Sequence, residues 1–146
     1  MITKIVIEGI PHPQPRPAVV RATGRVYYPD KKGRLKAWKA ALMAQLVQHK
    51  GLVSVPTPIA LSLTFVLKRP ADHFRGVCET GLKPSFAGTP AVRKPDIDNL
   101  VKTVMDVLSD AEVIGHDAWV TRLSAEKAYH VEGEPTGVII SIEAAP

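Results

Sequence analysis

At 146 residues, 45% of them hydrophobic and 23% charged, the chain has the length and balance of one folded domain and falls outside the disordered class. Cys78 stands alone, which excludes a disulfide framework and a cysteine-rich zinc site and makes a reducing cytosol the expected compartment. No apolar run nears the ~18 residues of a membrane span, and Met1–Lys4 lead into a strand pattern instead of a signal-peptide core. Nineteen Lys and Arg against fourteen Asp and Glu leave a net charge of +5, which favours an anionic partner.

In chain order, the short β-branched stretch ITKIVIEGI is closed by the prolines of PHPQPRP, so a strand and then an extended loop to about Asp30 are expected. GRLKAWKAALMAQLVQHKG places Leu35, Trp38, Leu42 and Leu46 near one helical face, with Gly51 as the stop. ALSLTFVLKR sets Leu61, Leu63, Phe65 and Leu67 against Ser62, Thr64 and Val66, the period of a strand with one face on a core. Residues 70 to 94 have no periodicity and many prolines and glycines; they read as a long loop, mobile or substrate-gripping. A second helix follows, with Val101, Val104, Met105 and Leu108 on its apolar face and Asp98, Lys102 and Asp106 on an adjacent polar stripe. AWVTRLSAEKAYHV and GVIISIEA complete the pattern as strands. The expectation is a single α/β (α+β) domain over residues 1–146, a mixed sheet of about four strands with two main helices in the order β-α-β-α-β-β.

Charge is segregated along the chain. Arg16, Arg21, Arg25, Lys31, Lys32, Arg34, Lys36 and Lys39 share their region with one acid, Asp30. From Asp96 to Glu134 the balance reverses, with Asp96, Asp98, Asp106, Asp110, Glu112, Asp117, Glu126, Glu132 and Glu134 against Lys102, Arg122 and Lys127.

Asp96 and Asp98 flank Ile97, so in an extended segment both carboxylates point to one side and can share a target. Asp98 stands where a helix N-cap belongs, Lys102 follows one turn later on the same face, and Asp117 lies where the returning chain can bring it beside the first two. Three carboxylates held together raise one another's pKa unless a cation neutralises them. Hard oxygen donors with open positions suit Mg²⁺, or Mn²⁺ in its place, and such an ion supports in-line attack on a phosphodiester. The plainer alternative is that these acids cap a helix or face water; Asp106 and Asp110 are expected to be helix-surface acids. His12, His49, His73 and His130 have no zinc-site spacing, and Trp38 and Trp119 suit core packing better than stacking on bases.

RKPDIDNLVKTVMDVL, followed by IGHDAWV, resembles the signature of the RusA family of Holliday-junction resolvases, crossover junction endodeoxyribonucleases in which a basic residue precedes D-x-D-N-L-x-K at a helix start and a later aspartate completes the site. The segment PHPQPRPAVVRATGRVYYPDKKGRLKAWK is similar to the proline- and arginine-rich lead-in and first helix of many relatives. The resemblance implies a Mg²⁺-dependent homodimeric endonuclease, often carried by phages or prophages, that acts on branched DNA. The acids matching Asp96, Asp98 and Asp117 would be metal ligands, and the lysine matching Lys102 would assist catalysis. The chain departs from the pattern at His116, where an acid often stands, and in the length of residues 70 to 94, which leaves branch preference open.

The reading that joins these features is cleavage of four-way junctions in recombination and repair, with Arg16, Arg21, Arg25, Lys31, Lys32, Arg93 and Lys94 as candidate phosphate contacts. Two cuts on symmetric strands need two copies of the one site, and the helix from Leu35 to Leu46 and the last strand are candidate dimer surfaces. Two other readings stay open: a non-catalytic DNA-binding protein, and a metal-dependent phosphohydrolase acting on another substrate.

Overall fold

The computed structural model describes residues 2–73, 88–131 and 133–145. Its elements in chain order are β1 (Ile2–Glu8), β2 (Ala18–Val19), β3 (Val26–Tyr27), α1 (Arg34–Leu46), β4 (Ile59–Leu67), α2 (Ile97–Asp110), β5 (Val120–Tyr129) and β6 (Gly137–Ala144). The main sheet runs β1-β6-β4-β5, with β4 parallel to β5 and antiparallel to β6, and β6 antiparallel to β1. This is the expected mixed four-stranded sheet with two main helices. Parallel pairing of β4 and β5 requires a crossover, which places α2 in the connection between them.

Alternation decides which face is covered. Leu61, Leu63 and Phe65 of β4 are at most 1% exposed, and they join Ile5 and Ile7 of β1 and Val138, Ile140 and Ile142 of β6 in one apolar layer. Trp38, Leu42 and Leu46 of α1 and Leu100, Val104 and Leu108 of α2 belong to the same core, so both helices lie on one face of the sheet. Ser62 on the opposite side of β4 is exposed, as the period of two requires. At the β1–β6 pairing the backbones approach so closely that a Cβ on Gly137, whose φ is +154°, would lie 1.9 Å from the Ile7 carbonyl oxygen.

Away from the site, the structure departs from expectation at three places. The segment read as an extended loop to Asp30 contains a hairpin, with Ala18 opposite Tyr27 and Val19 opposite Val26. The last strand, β6, is paired on both edges, with β1 and β5 the outer strands among the described residues, so β6 offers no edge to a second copy. In the long loop of residues 70 to 94, Ala71–His73 form a short 3₁₀ turn, and residues 74–87 lie outside the described residues.

Asp30, the one acid of the basic region, has a structural task. The chain enters α1 through left-handed Lys32 (φ 62°) and Gly33 (φ 63°), and that turn brings the Asp30 carboxylate back over the helix start. Oδ1 accepts from the Leu35 N–H at 3.0 Å and Oδ2 from the Lys36 N–H at 3.1 Å, covering donors that have no partner inside the helix. The Leu35 hydrogen bond, aided by that of Lys36, holds the Asp30 carboxyl below its ordinary value of 3.8. A pKa lowered on folding contributes stability that is present above the unfolded value and is lost as pH falls through the folded one. A carbon-detected titration should therefore find the Asp30 midpoint below 3.8, with the first turn of α1 fraying as the carboxyl protonates. A midpoint at or above 3.8 would show that the cap is not formed in solution.

Candidate functional site

The start of α2 lies two residues earlier than the sequence reading placed it. Asp96, not Asp98, is the N-cap, with extended backbone (φ −73°, ψ 138°), and Asp98 is already in the first helical turn. The alternation of a strand therefore does not set how the two carboxylates are related. Asp96 makes no side-chain cap bond, and Asp98 Oδ1 accepts from the adjacent Asn99 N–H at 2.9 Å. Both residues are exposed, so two carboxylates stand at a helix N-terminus, where the dipole favours negative charge.

Three attachments hold this junction. From the proline-rich segment, the Gln14 N–H donates to the Asn99 carbonyl at 3.1 Å, and the Thr103 hydroxyl donates to the same oxygen at 3.2 Å. From β5, Lys127 Nζ donates to the carbonyls of Arg93 and Pro95, both at 2.9 Å. From the stem of the long loop, Arg93 donates through both terminal nitrogens to Asp72, at 3.0 and 2.8 Å. That fork holds the Asp72 carboxyl below its ordinary range, the hydrogen bond to Arg93 being the main cause. The result is a cleft of about 490 Å³ in which Arg16, Lys94, Asp96 and Asn99 meet.

Asp117 lies elsewhere. It opens a 3₁₀ turn, Asp117–Trp119, after Gly115, where a Cβ would come within 2.2 Å of the Trp119 ring. It lines a second cleft, of about 260 Å³, with Lys39, Asp106, Asp110 and His116. Among the described residues no three His, Cys, Asp or Glu side chains are grouped closely enough to hold a metal ion, so Asp96, Asp98 and Asp117 do not meet as a ready-made triad. Asp106 and Asp110, expected to be helix-surface acids, line the same open cleft as Asp117. Lys102, one turn beyond Asp98, leans to the far end of the polar stripe: its Nζ is 3.7 Å from Asp106 Oδ1. His116 Nδ1 accepts from the Ala118 N–H at 3.0 Å and lies 3.0 Å from Asp117 Oδ1; only a protonated ring makes the second contact an ion pair.

The cationic candidates divide by place. Arg16 and Lys94 are in the Asp96 cleft; Arg21 and Arg25 are exposed in the turn that joins β2 and β3; Lys32 is exposed ahead of α1. Arg93 is committed to Asp72, and the Lys31 side chain lies outside the described part of the chain. Trp38 is buried in the core and Trp119 packs against it. The Lys127 clamp was invisible in the sequence, where it reads as one lysine on a strand, because its acceptors are backbone carbonyls more than thirty residues away. Replacing Lys127 with Met should speed amide exchange at the start of α2 by about tenfold, the worth of one charged hydrogen bond, while exchange in β4 is unaffected. Unaltered exchange at Leu100, whose N–H bonds the Asp96 carbonyl, would show that the clamp carries no load.

No curated protein matches the chain. The sequence model of the family described as Endodeoxyribonuclease RusA matches residues 8–143, from the end of β1 to the end of β6, and with it the hairpin, both helices, both clefts and the Lys127 clamp. The chain belongs to the RusA endodeoxyribonuclease family.

Proposed function

We propose that the chain is a Mg²⁺-dependent endonuclease that cuts four-way DNA junctions, working as a homodimer whose two sites hydrolyse strands related by two-fold symmetry. The observation that carries this reading is the cleft at the start of α2. There a carboxylate that caps the helix without using its oxygens for the cap stands with Arg16 and Lys94, two cations suited to phosphate.

The donors fit a divalent ion in kind. Asp96 and Asp98 are exposed hard-oxygen ligands with little else to bind, and Mg²⁺ is commonly held by one or two carboxylates together with water and phosphate oxygens. Asp117 is assigned as the third ligand, to be recruited when DNA is bound, since it lines the other cleft in the free chain. When bound, Mg²⁺, or Mn²⁺ in its place, supplies charge neutralisation and polarisation at the scissile phosphate. The rest falls to side chains. Arg16 and Lys94 hold the phosphodiester beside Asp96, and Lys102, released from Asp106, moves its ammonium toward charge developing on phosphate. Arg21, Arg25 and Lys32 extend the cationic surface beyond the cleft, which suits a long polyanion better than a small phosphorylated substrate.

Asp96→Asn, Asp98→Asn and Asp117→Asn should each lower cleavage by about 100-fold or more, because losing even an outer partner of a metal ligand costs about 10–100-fold. Junction binding should hold or tighten, since each change removes repulsion against phosphate. An Asp117→Asn chain that cuts as fast as the parent would remove Asp117 from the ligand set.

Neutralising Arg16, Arg21 and Arg25 together should weaken binding to junction and plain duplex alike, each lost contact reducing the salt slope by about 0.9. An unchanged slope would place those arginines off the DNA.

A further inference from the structure

An apolar hollow of about 570 Å³ lies between α1 and the proline-rich segment, next to the Asp96 cleft but not part of it. Pro11 and Pro13 wall one side, Ala37 and Ala41 the other, with the buried Trp38 ring and Pro95 completing the lining. Pro13 and Pro95 also line the Asp96 cleft, so the two spaces share a partition: Arg16, Lys94 and Asp96 on one side, a mainly apolar chamber on the other.

We propose that this hollow receives a nucleobase unstacked from the DNA strand whose phosphate lies in the adjoining cleft, and that it thereby sets which sequences are cut. The inference rests on the nuclease reading and names a specificity site for it. A nucleotide has an anionic end and a flat, weakly polar end separated by one sugar, and the paired spaces repeat that division. The volume falls within the range of small-ligand sites, and prolines and alanines offer flat apolar surface to a base in the way stacking platforms do. Bases at a branch point lose less stacking on leaving the helix than bases in continuous duplex, which lowers the cost of extrusion.

Two polar groups in the lining can discriminate among bases. His12 Nδ1 is 3.0 Å from the Pro13 carbonyl, which can only accept, so Nδ1 carries the proton and a neutral ring keeps Nε2 as an acceptor for an exocyclic amino group. Arg34, exposed at the start of α1, supplies donors for a ring nitrogen or carbonyl oxygen of the base.

The test uses the full chain and four-way junctions carrying 2-aminopurine at successive positions around the cut, with Ca²⁺ in place of Mg²⁺. Fluorescence should rise several-fold at one position on binding. Ala37→Leu fills the hollow from an exposed helical position with a good helix former, and Ala41→Met fills it from the next turn; both should abolish the rise. Ala44→Leu, exposed on the same helix but outside the lining, should keep it. In Mg²⁺, across junctions differing at that position, Ala37→Leu should shrink the spread of cutting rates by about tenfold, the weight of one stacked base. Binding by the parent with no rise at any position, or a rise that survives both fillings, overturns the inference and leaves the nuclease reading standing. A parent chain that neither binds nor cuts DNA removes both.

Discussion

Lys127 reaches from β5 to the carbonyls of Arg93 and Pro95, and the placement of the first two acidic residues depends on that reach. The residues just before α2 belong to no strand or helix, so no ladder of backbone bonds fixes them. They are fixed from outside by Lys127 on one side and by the fork between Arg93 and Asp72 at the loop stem, while the Gln14 bond to the Asn99 carbonyl holds the first turn of α2. Each attachment comes from a different part of the chain, and α2 itself is held by burial of Leu100, Val104 and Leu108 against the sheet. A carboxylate position set by a packed helix and charged clamps is better suited to chemistry than one on a free loop.

The second consequence is a division of charge in space as well as along the chain. The Asp96 cleft has cations for neighbours, Arg16 and Lys94, whereas the Asp117 cleft has acids, Asp106 and Asp110, with Lys39 and His116. Lys102 lies between them on the exposed side of α2, leaning to Asp106. In the free chain the first cleft is the better place for a phosphate and the second a poor one, by Coulomb repulsion alone. On the proposed reading, bringing Asp117 to the same ion as Asp96 and Asp98 would require something that offsets that repulsion, and a divalent cation arriving with DNA would have the right charge.

Much of this was legible in the sequence, for physical reasons that can be named. The period-two pattern of Leu61 to Leu67 and the helical spacing of Leu35, Trp38, Leu42 and Leu46 fixed elements whose faces the structure buries as expected. The polar stripe of Asp98, Lys102 and Asp106 was equally readable, because helical geometry is local. What the sequence hid was non-local. Nothing in a two-residue strand such as Val26–Tyr27 announces a hairpin, and the inner place of β6 is hidden because pairing order is a property of the whole sheet. The N-cap moved from Asp98 to Asp96 since Ile97 is already helical, a boundary that sequence reading places only to within a few residues. The fork between Arg93 and Asp72, twenty-one residues earlier, is another contact that sequence spacing does not announce.

The most direct measurement is cleavage of a four-way junction in a cruciform plasmid by the full chain, with and without Mg²⁺, counting cuts per junction. A divalent-metal-dependent homodimer with its acidic site at the start of α2 should make paired cuts on opposite strands only when Mg²⁺ or Mn²⁺ is present. Tight binding of the junction with no cut in either ion, or a single nick per binding event by a stable monomer, would contradict it.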